Sequence, residues 1–114
     1  MITKEYIKEL INNGKGEIGH LVKQYRDSGS LTFILENLGQ IPKDFDGSFL
    51  IELLSNNNAS VRLWAIKTIG KIGKKEYLPI LKNTAFNDNN TNVRREAVSS
   101  IRRMRTIKCQ SILT

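Results

Sequence analysis

The sequence is poor in every residue type that carries covalent or metal chemistry. It has one cysteine, Cys109, and one histidine, His20. A lone cysteine closes no internal disulfide, which fits a reducing, cytoplasmic compartment. A single histidine far from that cysteine makes no metal-ligand set, and no second histidine exists to activate a nucleophile. No cofactor and no small-molecule ligand are therefore expected. Only two prolines, Pro42 and Pro79, interrupt the 114 residues, which leaves long stretches free to be helical. No apolar run approaches bilayer-spanning length, so a membrane partner is not expected. The start, Met1-Ile2-Thr3-Lys4-Glu5-Tyr6, lacks a charged segment followed by an apolar one, and no signal peptide is read there. The acceptor patterns Asn58-Ala59-Ser60 and Asn89-Asn90-Thr91 are accordingly read as turns.

Acidic residues are scarce where it matters most. Residues 58–114 carry three Asp/Glu against twelve Lys/Arg, whereas residues 1–57 carry eight against six. The net charge of +7 thus divides into +9 and −2. Such a split points the C-terminal half toward something anionic, nucleic acid or an acidic protein surface. Its bland counterpart is a solvated basic face. Hydrophobic and charged fractions of 39% and 25% are ordinary for one soluble domain of this length.

Repetition is what the chain has in quantity. The segment Val61-Arg62-Leu63-Trp64-Ala65-Ile66-Lys67-Thr68-Ile69-Gly70-Lys71-Ile72 returns 32 residues later as Val93-Arg94-Arg95-Glu96-Ala97-Val98-Ser99-Ser100-Ile101-Arg102-Arg103-Met104. An asparagine-rich turn precedes each copy, and a leucine-bearing run precedes each turn. A degenerate copy ends in Leu38-Gly39-Gln40-Ile41. The apolar spacing predicts helices over about 3–14, 17–26, 31–40 (capped by Ser30), 47–55, 58–73, 76–86 and 91–105. Sustained period-two alternation is absent, so an all-α architecture without a sheet follows. A helix pair repeated at fixed period builds a stack, and a stack presents a surface more readily than a catalytic pocket. Ala65 and Ala97, small among large neighbours, allow close helix approach.

The pattern Phe49-Leu50-Ile51-Glu52-Leu53-Leu54, turn, Val61-Arg62-x-x-Ala65-Ile66-x-x-Ile69-Gly70-x-Ile72-Gly73 resembles the short HEAT-like repeat, the variant also found in phycobilisome lyases and many bacterial proteins. Tyr77-Leu78-Pro79-Ile80-Leu81, turn, Val93-Arg94-x-x-Ala97-Val98-x-x-Ile101 is a second match. The resemblance implies a right-handed α-α superhelix of about seven helices, three pairs behind an N-terminal helix. Clear repeats would span 47–73 and 76–105, with a degenerate one over 17–42, all in one domain. It also implies an acidic turn residue facing the arginine after the valine: Asp88 serves Arg94, while Asn56 to Asn58 offer none to Arg62. Ile107, Ile112 and Leu113 look like the start of a further repeat helix, as if the chain were the N-terminal part of a longer protein.

Helical spacing turns Val61, Ala65, Thr68, Ile69 and Ile72 inward, and likewise Val93, Ala97, Ser100, Ile101 and Met104. The candidate binding residues then lie outside: Arg62, Lys67, Lys71, Lys74 and Lys75 on the first copy, and Arg95, Arg102, Arg103 and Arg105 on the second. Stacking in register sets Lys71 beside Arg103 and Gly70 beside Arg102. In proteins of this resemblance the second helix of each pair lines the concave face, which would form a basic trough suited to a phosphate backbone. Trp64, beside that stripe, is either a stacking or anchoring residue or packing against the neighbouring repeat. The leading expectation is a non-catalytic binding module for nucleic acid, with a targeting role beside a DNA-modifying enzyme such as a methyltransferase. A protein–protein adaptor is the alternative. A HEAT-like DNA glycosylase would have only Asp88 and Trp64 to work with. Gly14-Lys15-Gly16-Glu17-Ile18-Gly19 has dinucleotide-binding spacing, but it follows a helical pattern where that motif needs a strand.

Overall fold

The computed structural model describes residues 2–13, 17–39, 41 and 45–113. Among them are seven α-helices, α1 (Lys4–Asn13), α2 (Glu17–Lys23), α3 (Ser28–Glu36), α4 (Ser48–Leu53), α5 (Ala59–Ile72), α6 (Leu78–Asn87) and α7 (Thr91–Leu113). One turn of 3-10 helix, Lys75–Tyr77, leads into α6, and no strand occurs among the described residues.

Local chemistry explains most boundaries. Thr3 Oγ1 accepts from the Tyr6 N–H at 3.1 Å and opens α1. Asn58 caps α5, accepting from the N–H groups of Ser60 at 2.8 Å and Val61 at 3.3 Å. Asn90 repeats the device on α7, accepting from Asn92 at 2.9 Å and Val93 at 3.2 Å. Gly73 ends α5 in the left-handed region (φ +68°), which only glycine enters cheaply, and donates its N–H to Ile69 O. Pro79 lies in the first turn of α6, where its missing N–H costs no hydrogen bond.

Several boundaries differ from the sequence expectation: α2 ends at Lys23 and α3 at Glu36, earlier than the expected 26 and 40, and two further differences have clear causes. Helix α3 starts at Ser28, with Asp27 rather than Ser30 as cap; its carboxylate accepts from the Ser30 N–H at 2.8 Å. Ser28-Gly29-Ser30 is therefore the first helical turn, because a charged oxygen at the helix N-terminus caps it and opposes the dipole. Helix α7 runs on through Arg105 to Leu113 as one piece. Neither Gly nor Pro falls between those residues to stop it. The Gly14-Lys15-Gly16 part of the glycine motif lies outside the described residues. The element before it is α1, a helix, and Gly19 sits where Phe49 packs against α2.

The helices form two layers. Helices α3, α5 and α7 lie side by side, α4 packs on α5, and α6 packs on α7. The molecule measures 45 × 34 × 18 Å, and 18 Å is about two helix diameters. Ile34, Leu50, Val61, Ile66, Ile69, Leu81 and Val93 are buried between the layers. Each contributes about 1.5–3 kcal/mol through the apolar surface it removes from water. Ala65 and Ala97 are fully buried at equivalent positions, as their small size requires.

Candidate partner-binding surface

Helices α5 and α7 are the second helices of consecutive pairs, and two contacts fix their alignment. At the N-terminal end, Arg62 reaches across the repeat boundary. Its Nε donates to Asp88 Oδ2 at 3.0 Å, and its Nη2 donates to Asp88 Oδ1 at 3.3 Å and Asn89 Oδ1 at 2.9 Å. Its Nη1 donates to the carbonyls of Asn56 at 2.8 Å and Asn57 at 3.2 Å. Eight helical positions on, Gly70 lies against Ser100 so closely that an added Cβ would stand 2.6 Å from Ser100 Cβ. The two helices therefore run parallel and touch along their length.

This arrangement corrects the placement of Arg62. It is 9% exposed and holds adjacent turns together, so it does not belong to the outer cationic set. The expected Arg94–Asp88 side-chain pair is replaced by Arg62–Asp88. Arg94 instead donates to the Asp88 carbonyl at 2.7 Å and to Thr91 Oγ1 at 3.1 Å. The neighbours of Gly70 on α7 are Ser100 and Arg103, not Arg102. Both Asp88 oxygens are occupied, Oδ1 also accepting from the Asn90 N–H at 2.9 Å, which makes this carboxylate a structural one.

The other candidates divide by what they touch. Lys71, Lys75, Arg95, Arg102, Arg103 and Arg105 are exposed. Arg103 is braced by Glu96 Oε2 at 3.2 Å and Ser100 Oγ at 3.0 Å. Lys67 stands 4.9 Å from the centroid of the Trp64 ring, a cation–π contact, so the two residues share one place on α5. Trp64 is half-buried and packs against the core. Lys74 turns away, donating to the Phe45 carbonyl at 3.0 Å. Beside it, the Asp46 carboxyl is held below its usual range by the Ser48 backbone N–H and side chain, and further by the charge of Lys74.

Sequence reading passed over the asparagines. Asn56, Asn57, Asn83, Asn87 and Asn89 meet around a crevice of about 740 Å³ between α4 and α6, with Arg62 and Asp88 at one end. Its only sequence signal is the two asparagine-rich turns, which read equally well as helix caps. Among the described residues no cluster of His, Cys, Asp and Glu could hold a metal ion, and no helix is long and apolar enough to cross a membrane.

Paired helices in two layers, with successive second helices parallel and joined through Arg62 to the next turn, define an α-helical repeat stack. Residues 47–114 match the family model for HEAT repeats. The match spans α4 to α7, more than half of the chain, and the protein belongs to the HEAT repeat family. No curated protein and no solved structure matches it. Repeats of this kind commonly serve as binding or scaffold surfaces for partners.

Proposed function

We propose that this protein is a non-catalytic binding module whose α5–α7 face takes a nucleic-acid backbone, read by charge rather than by base sequence. One observation carries this reading: two parallel, touching second helices carry exposed Lys71, Arg95, Arg102 and Arg103 in a half of the chain with a net charge of +9. Trp64 supports backbone rather than base contact, because Lys67 already occupies its ring. A role in positioning a DNA-modifying enzyme within the cytoplasm is the biological form this function would take.

The test is binding to random-sequence duplex DNA across a salt series. The expected result is a linear fall of log affinity with log salt, with a slope of about 0.9 per phosphate contacted. Lys71→Glu and Arg95→Glu should weaken binding and flatten the slope, whereas Lys82→Glu, exposed on α6 in the other layer, should do neither. Absence of binding at low salt, or equal loss from all three variants, would sink the proposal and favour an acidic protein partner.

A further inference from the structure

We infer that the crevice between α4 and α6 is a docking groove for an extended, uncharged stretch of polypeptide. Helices α5 and α7 touch closely at Gly70 and Ser100, while α4 and α6 stand apart across about 740 Å³. That volume lies within the range of ligand sites, about 300–1,000 Å³.

The chemistry of the groove selects its occupant. Ile51, Leu54, Pro79 and Ile80 give it an apolar floor. Its charges are already satisfied, since Arg62 and Asp88 are spent on each other, on neighbouring asparagines and on turn backbone. An anion therefore finds no free positive charge there. No aromatic side chain lines the groove, so a base or sugar ring finds no stacking surface. What remains available is amide. Asn87 Nδ2 donates to Asn83 Oδ1 at 2.7 Å, which leaves a donor on Asn83 and an acceptor on Asn87. Asn56 and Asn89 use their oxygens within the fold, accepting from Asn58 N–H at 2.9 Å and Arg62 at 2.9 Å, and keep their Nδ2 donors.

A helical partner offers these groups no backbone, because a helix satisfies its backbone internally. An extended chain does, since it presents one N–H and one C=O along each edge at every second residue. Asn83 and Asn87 lie about one turn apart on α6, and their amides meet at 2.7 Å. Their free groups, a donor and an acceptor on adjoining amides, match the C=O and N–H that one residue of an extended chain presents on a single edge.

The experiment uses a displayed library of random twelve-residue peptides selected on the intact protein, followed by affinity measurement of the enriched sequences. The expected winners are poor in charge and bind the double variant Asn83→Ala, Asn87→Ala about tenfold or more weakly. Both positions are exposed and helical, and circular dichroism checks that the variant folds. Proline scanning of the peptide, which removes one N–H at a time and needs no protein variant, should cost affinity most at a single position, the residue whose N–H meets Asn87 Oδ1. Lys71→Glu should leave peptide binding unchanged, and the asparagine variant should leave duplex binding unchanged, so this inference and the proposed function fail separately. No enrichment, binding within twofold of wild type in the asparagine variant, or a proline scan with no sensitive position would overturn the inference.

Discussion

Gly70→Ala sets two opposed effects against each other at one atom. Alanine in a helix interior is favoured over glycine by about 1 kcal/mol, so an unpacked α5 would be stabilised. In the stack, the new methyl stands 2.6 Å from Ser100 Cβ and also meets Ser100 Oγ. Carbon–carbon contacts are comfortable at about 3.5–4.0 Å, so α5 and α7 must separate by about 1 Å. Ser100 is fully buried and cannot swing aside. Overpacking of this kind costs about 1–3 kcal/mol, and a gap of 0.5–1 Å forfeits roughly a quarter to a half of each dispersion contact along the seam. The net expectation is a destabilisation of about 2 kcal/mol, or about 10 °C in Tm. Urea and thermal unfolding followed at 222 nm measure it. Ser100→Gly in the same background should recover much of the loss, with a coupling of at least about 1 kcal/mol in the double-mutant cycle. If Gly70→Ala were as stable as wild type or more so, the close approach of α5 and α7 would be refuted.

Other consequences are less costly to test. Asn58→Ala and Asn90→Ala each remove a cap that serves two N–H groups, and each should lower stability by about 1 kcal/mol in urea unfolding. The Asp27 carboxyl is held below its usual range by the Ser30 side chain and backbone N–H. Its stabilisation is therefore complete above the ordinary carboxylate pKa and is lost as pH falls through the lowered value. The stability deficit of Asp27→Asn at neutral pH should accordingly shrink as pH falls below the ordinary carboxylate value of about 4. Glu96→Gln releases the exposed Arg103; stability should change by less than about 1 kcal/mol, while duplex binding tightens and its salt slope steepens.

Much of the fold was legible because it rests on short-range signals. Asparagine caps, Gly73 and the apolar series through Ala65, Ile69, Ala97 and Ile101 place α5 and α7 without knowledge of their neighbours. Asp27 was missed because Ser28-Gly29-Ser30 has turn composition, and only the charged cap before it reveals a helix start. Arg62 was misplaced for a different reason. Helical spacing says which side of a helix a residue leaves from, not that a carboxylate 26 residues later will reach back to it. The register error of Gly70 against Arg102 has the same origin. A rotation of α7 by one residue exchanges its neighbour for Arg103, and packing against α6 sets that rotation. The asparagine crevice could not be read at all, because it exists only where α4 and α6 diverge.

The stack stands most directly on the contact between Arg62 and Asp88. A double-mutant cycle with Arg62→Met and Asp88→Ala, measured by urea unfolding, isolates it. Each single change leaves a part-buried charge or turn carbonyls without partners and should cost about 3 kcal/mol, with a coupling energy of about 2 kcal/mol between them. Strictly additive losses, with coupling below about 0.5 kcal/mol, would mean that the two turns are not joined and that consecutive repeats do not share this seam.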